Sequence, residues 1–185
     1  MVEKKPSHPN AWITLGILLK QQGRVLEAEK AYQKAIEHNP EDPNPWYNLG
    51  NLMFDKGEAE KAEKAWKKAI ELNPEFAAAW TNIGNLLFDK GDNKQAEEAW
   101  KKAVDCNPRY PTVWYNLGNL YFNQKKLDKA EKAWKKAIEY NPRYTNAWYN
   151  LGVLFKQQER YEEAKEAYTN ARVTMDQETH YKEIS

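Results

Sequence analysis

Written in rows of 34 residues, the chain lines up with itself five times without a gap, over 9–42, 43–76, 77–110, 111–144 and 145–178. The fourth place of each row is Trp12, Trp46, Trp80, Trp114 and Trp148, and the seventh is Leu15, Leu49, Ile83, Leu117 and Leu151. The eighth is Gly16, Gly50, Gly84, Gly118 and Gly152; the twentieth is Ala28, Ala62, Ala96, Ala130 and Ala164. An aromatic holds the twenty-fourth place, as Tyr32, Trp66, Trp100, Trp134 and Tyr168. Pro40, Pro74, Pro108 and Pro142 close the first four rows, and Asp176 stands where a fifth Pro would be. Large rings and very small residues recurring in step mean that each row is one supersecondary unit, repeated.

The spacing within a row predicts what that unit is. Trp46, Leu49 and Met53 are three and four apart, one stripe of a helix, and Ala62, Ala65, Trp66, Ala69 and Ile70 make a second stripe. Between them, Asp55-Lys56-Gly57-Glu58 is a short polar break with Gly at a natural helix stop. Pro74 cannot continue the second helix, while Pro43 and Pro111 suit the first turn of the next one. Gly50 and Ala62 are read as the place where two backbones come close, with Trp46 and Trp66 filling the volume around them. A single helix pair cannot cover its own apolar face, so neighbouring pairs must stack into a continuous core. Glu60 to Lys64, Glu63 to Lys67 and Glu131 to Lys135 are four-residue steps suited to a solvated outer face.

The pattern W-x2-L-G, then a small residue, an aromatic and a closing Pro at this period, resembles the tetratricopeptide repeat family over residues 9–178. The resemblance implies an all-α, right-handed α-solenoid of five antiparallel helix pairs, with residues 1–8 as an N-terminal extension and 179–185 as a C-terminal tail. It also implies that the first helices line a concave side. The architecture serves many partners, so it specifies function weakly.

Two rows of residues are then candidates for holding a peptide. Asn48, Asn82, Asn116 and Asn150 occupy the sixth place, and Asn51, Asn85 and Asn119 the ninth. An amide both donates and accepts, so a row of them suits an extended backbone. This looks like the asparagine ladder in the tetratricopeptide domain of the O-linked N-acetylglucosamine transferases. Asn also belongs to the family consensus, where it bonds within or between helices, and both readings stay open. Tyr47, Tyr115 and Tyr149 hold the fifth place, with Thr81 breaking the series, and Phe54, Phe88 and Phe122 the twelfth. These rings are either platforms for ligand side chains or packing against a neighbouring repeat. Some family members grip a terminal carboxylate with Lys and Arg on the first helices; the inner places here hold mostly Asn, Tyr and Thr, so that function is not carried over.

Other classes find little support. The net charge of +1 gives no whole-molecule pull toward nucleic acid or membrane, although row four has seven Lys and Arg against three Asp and Glu, and row five four against six. The single Cys106 excludes an internal disulfide and fits a reducing compartment. His8, His38 and His180 are scattered, and no metal-ligand spacing, phosphate loop or nucleophile–base set is present. The expectation is a cytoplasmic, non-enzymatic scaffold without cofactor or metal, binding a protein or peptide segment and neither nucleic acid nor membrane. Three alternatives remain: a spacer that self-associates end to end, since Gln177–Ser185 is short for a capping helix; the regulatory arm of a larger enzyme such as a glycosyltransferase; and an engineered, consensus-like chain with no natural ligand.

Overall fold

The computed structural model describes residues 9–184, which form ten helices and no strand. The proposed extension 1–8, with His8, lies outside the described residues. The chain divides into two compact units, Met1–Cys106 and Asn107–Ser185. In the first unit, α1 (Pro9–Gln21) pairs with α2 (Val25–His38), α3 (Pro43–Asp55) with α4 (Ala59–Leu72), and α5 (Ala77–Asp89) with α6 (Asn93–Cys106). In the second, α7 (Pro111–Asn123) pairs with α8 (Leu127–Tyr140), and α9 (Thr145–Gln157) with α10 (Tyr161–Ile184). The all-α tetratricopeptide fold expected from the repeat is the fold observed.

Each pair is locked by the glycine and the ring. A Cβ built on Gly50 would lie 2.5 Å from the Trp66 indole, and one on Gly152 2.6 Å from the Tyr168 ring. Gly16, Gly84 and Gly118 meet Tyr32, Trp100 and Trp134 in the same way. The glycine therefore makes room for an aromatic ring, a more specific role than the close backbone approach expected from sequence. Trp66, Trp100 and Trp134 are almost fully buried, beside Ala62, Ala96 and Ala130, which have no exposed surface. Burying a ring of this size is worth several kcal/mol, which is why the ring recurs in every pair.

The stops are also built. Asn73, Asn107 and Asn141 each accept, through Oδ1, the backbone N–H two residues on, closing the turn that carries the Pro. The Pro carbonyl then accepts the indole N–H six residues later: Pro40 from Trp46 (3.3 Å), Pro74 from Trp80 (2.9 Å), Pro108 from Trp114 (2.7 Å) and Pro142 from Trp148 (3.0 Å). In α10 the same places are Met175 and Asp176, so nothing ends the helix there, and it runs on to Ile184 where its counterparts end after fourteen residues. Of the expected surface pairs, Glu63–Lys67 and Glu131–Lys135 form, at 2.7 and 2.6 Å. Glu60 and Lys64 do not; Lys61 pairs with Glu58 instead, at 2.6 Å.

Candidate partner-binding site

The ninth-place asparagines turn out to be structural hubs. Asn51 Oδ1 accepts the Trp66 indole N–H (3.0 Å) and also the Asn82 side-chain amide of the next repeat (2.7 Å). Asn119 Oδ1 does the same for Trp134 (3.1 Å) and Asn150 (2.9 Å). Asn85 Oδ1 accepts from Trp100 at 3.0 Å. One carbonyl oxygen thus satisfies a nearly buried indole and ties two repeats together. This favours the within-and-between-helix reading for half of each amide. The other half is uncommitted: Asn51 and Asn119 keep their NH2 groups, and Asn82 and Asn150 keep their carbonyl oxygens, all on partly exposed side chains. At the first junction the ninth place is Ile17, and Asn48 turns back to donate to the Asn44 carbonyl at 3.0 Å. Asn116 is likewise partly exposed and is not without a partner.

The aromatic rows are divided between packing and exposure. Phe54, Phe88 and Phe122 lean on Trp66, Trp100 and Trp134 of their own repeat, with ring centres 5.5 to 5.7 Å apart. They pack on the indole of their own repeat, yet Phe54 remains 43% exposed. Tyr47 meets Phe76 at 5.0 Å, Tyr115 meets Tyr144 at 5.1 Å, and Tyr149 meets Tyr168 at 5.6 Å. Tyr149 is more than half exposed. Thr81, which interrupts the tyrosine series, is buried and donates its hydroxyl proton to the Ala77 carbonyl (2.8 Å).

Electrostatics between repeats depends on a pattern that sequence reading missed. The acid at the twenty-first place of one repeat takes a cation from the turn of the next: Glu29 from Lys56 (2.9 Å), Glu63 from Lys90 (2.7 Å) and Glu131 from Arg160 (2.7 Å). Hydrogen bonds from Lys67 and Lys90 hold the Glu63 carboxyl below the usual range. Arg160, and after it Lys135, does the same for Glu131. Lys56, followed by Lys61, lowers Glu58 to about 2. The signal was available in the recurrence of Glu at that place, but its partners lie 27 or 29 residues away.

Cys106 and His38 both have structural settings. Cys106 is partly buried, with its thiol directed at the Pro74 carbonyl (3.7 Å); burial, chiefly, raises its pKa. His38 stacks on Trp12. Among the described residues, no group of three or more His, Cys, Asp or Glu is placed to hold a metal, and no helix is long and apolar enough to cross a membrane.

No curated protein matches the chain. Among solved structures, the chain is similar to MamA, with 25% identity and a TM-score of 0.77 over 90% of this chain and 97% of that one. It also resembles pilF of Pseudomonas aeruginosa, with 22% identity and a TM-score of 0.80 over 90% and 76%. A third is YrrB, described as a TPR protein with an unusual peptide-binding site, with 24% identity and a TM-score of 0.69 over 88% and 84%. Scaffolds of this architecture serve protein–protein interaction and are typically non-catalytic. One family model, TPR repeat, matches residues 16–57, and a second, the cilia and flagella-associated protein 70 C-terminal domain, matches 41–179. Those matches and the locked helix pairs together place the chain in the tetratricopeptide repeat family, and within it in the family of that C-terminal domain.

Proposed function

We propose that this chain is a non-catalytic, cytoplasmic scaffold, built of its five 34-residue blocks, that holds an extended segment of a partner protein against its first helices. The observation that carries this reading is the half-committed amides. Asn51 and Asn119 spend their oxygens on structure and keep donors; Asn82 and Asn150 spend their donors and keep oxygens. Each such pair offers one donor and one acceptor side by side, the complement of a peptide unit. Because the amides are anchored by buried indoles, little side-chain freedom is lost when a ligand arrives. Tyr149 and Phe54 supply exposed ring surface beside them. Recognition of this kind reads the partner's backbone more than its side chains.

A display library of random peptides, panned on the whole chain, tests it. The enriched peptides are expected to bind Asn82→Ala/Asn150→Ala about tenfold more weakly, from the loss of two hydrogen bonds of about 0.5–1.5 kcal/mol each. Circular dichroism of the variant should be unchanged, because Trp66 and Trp134 keep their acceptors. Equal affinity for both proteins would remove the amide row from the site.

A further inference from the structure

Within each unit, a repeat announces what its successor must bring. Glu29, Glu63 and Glu131, all at the twenty-first place, receive Lys56, Lys90 and Arg160 from the following repeat. Lys20, at the twelfth place, receives Asp55 from the end of the next first helix (2.6 Å). The face of α9 and α10 that would receive a further repeat carries a different message. The twenty-first place is Lys165, a reversal of charge. The twenty-eighth is Arg172, where Ile36, Ile70, Val104 and Ile138 stand elsewhere. The twelfth is Lys156, as in the first repeat. All three are exposed, and none makes an ion pair with another described residue.

These cations border an open groove of about 520 Å³, floored by Ala164 and Tyr168 and walled by Tyr161. Tyr161, Ala164, Tyr168 and Arg172 follow one another at steps of three and four, a single stripe of α10, with Lys165 beside Ala164 on the same face. Tyr161 is 64% exposed, although Val25 and Ala59 at the same place in earlier repeats pack against the core.

We propose that this groove docks an acidic amphipathic helix of a partner protein, laid where the first helix of a following repeat would lie. Its apolar side meets Tyr161, Ala164 and Tyr168. An acid near the thirteenth place answers Lys156, as Asp55 answers Lys20, and acids in the turn beyond answer Lys165 and Arg172. A second copy of this chain fits poorly. Its corresponding places hold Gln21, Gln22 and Arg24, which bring a cation and no acid to Lys165. A nucleic acid is disfavoured because Glu162, Glu163 and Glu166 lie on the adjoining stripe, beside Lys165. A single helix is narrow enough to avoid them, whereas a broad polyanion is repelled.

The experiment uses the full chain and two labelled helical peptides written on the α9 pattern, with apolar residues at places three, seven and ten. One carries Glu at places thirteen, fourteen and sixteen, and the other carries Lys there. In fluorescence anisotropy the Glu peptide is expected to bind at least about tenfold more tightly, a difference of about 1.4 kcal/mol. Lys165→Glu/Arg172→Glu should reverse the preference, and Lys165→Gln/Arg172→Gln should abolish it while circular dichroism stays unchanged. Equal binding of both peptides, or a preference that survives the charge reversal, overturns the proposal. So does a single-stranded oligonucleotide that binds more tightly than the Glu peptide and is lost in the same variants. Light scattering that shows a dimer broken by the reversal would assign the groove to a second copy and also overturn it.

Discussion

The helix pairs of the first unit and those of the second are the same object closed by different turns. At the fifteenth place the first unit has Gly23, Gly57 and Gly91, with φ of 74°, 78° and 82°. The second unit has Lys125 and Glu159, both at φ 60°. Glycine enters this left-handed region freely, whereas a residue with a Cβ is strained there. That Lys and Glu are nevertheless held in it shows where the turn geometry originates. The packing of glycine against ring dictates the crossing of the two helices, and the loop conforms. The inter-repeat ion pair changes with the turn: Lys56 and Lys90 serve from the fourteenth place, Arg160 from the sixteenth. What both units share carries the fold, and what differs is local.

Three measurements probe that contrast. The shared lock should fail equally in both units. Gly84→Ala and Gly118→Ala each drive a methyl into a buried indole, and each is expected to cost about 1–3 kcal/mol in urea unfolding. A much smaller loss for Gly118→Ala would mean that the second unit is held by something other than this lock. The turns should differ. Lys125→Gly is expected to stabilise the chain by about 0.5–1 kcal/mol, and Gly57→Lys to destabilise it by a similar amount. If Lys125→Gly has no effect, the strain assigned to that turn is absent. The smallest effect is electrostatic. Glu63 and Glu131 both have lowered folded pKa values, so their stabilisation is complete above the ordinary glutamate range and is lost as pH falls through the folded values. Glu63→Gln and Glu131→Gln should each flatten the acid side of the stability–pH curve, below about pH 4.5. A curve that keeps its slope in both variants would place the acid sensitivity elsewhere, with Glu58 and its lysines next in line.

Much of this molecule could be read before any coordinate. The break expected at Asp55-Lys56-Gly57-Glu58 does fall between α3, which ends at Asp55, and α4; Pro43 and Pro111 do open helices, and Pro74 follows the end of α4. Local rules suffice there, because caps and stops act over a few residues. The missing Pro at Asp176 is visible in the sequence too, and without that stop α10 runs on to Ile184. The amide row was legible as residues and not as a network. The Trp66 and Asn82 bonds to Asn51 span 15 and 31 residues, and no periodicity states that one oxygen takes both. Nor did the repeat pattern single out Lys165 and Arg172, since averaging over rows hides the row that breaks the rule.

The tying of indoles to carbonyls has a consequence for spectroscopy. Trp46, Trp80, Trp114 and Trp148 donate to proline carbonyls, and Trp66, Trp100 and Trp134 to asparagine side chains. Indole emission shifts to the red when the ring reaches water. Variants keeping a single tryptophan would therefore let light report, layer by layer, the order in which the repeats come apart.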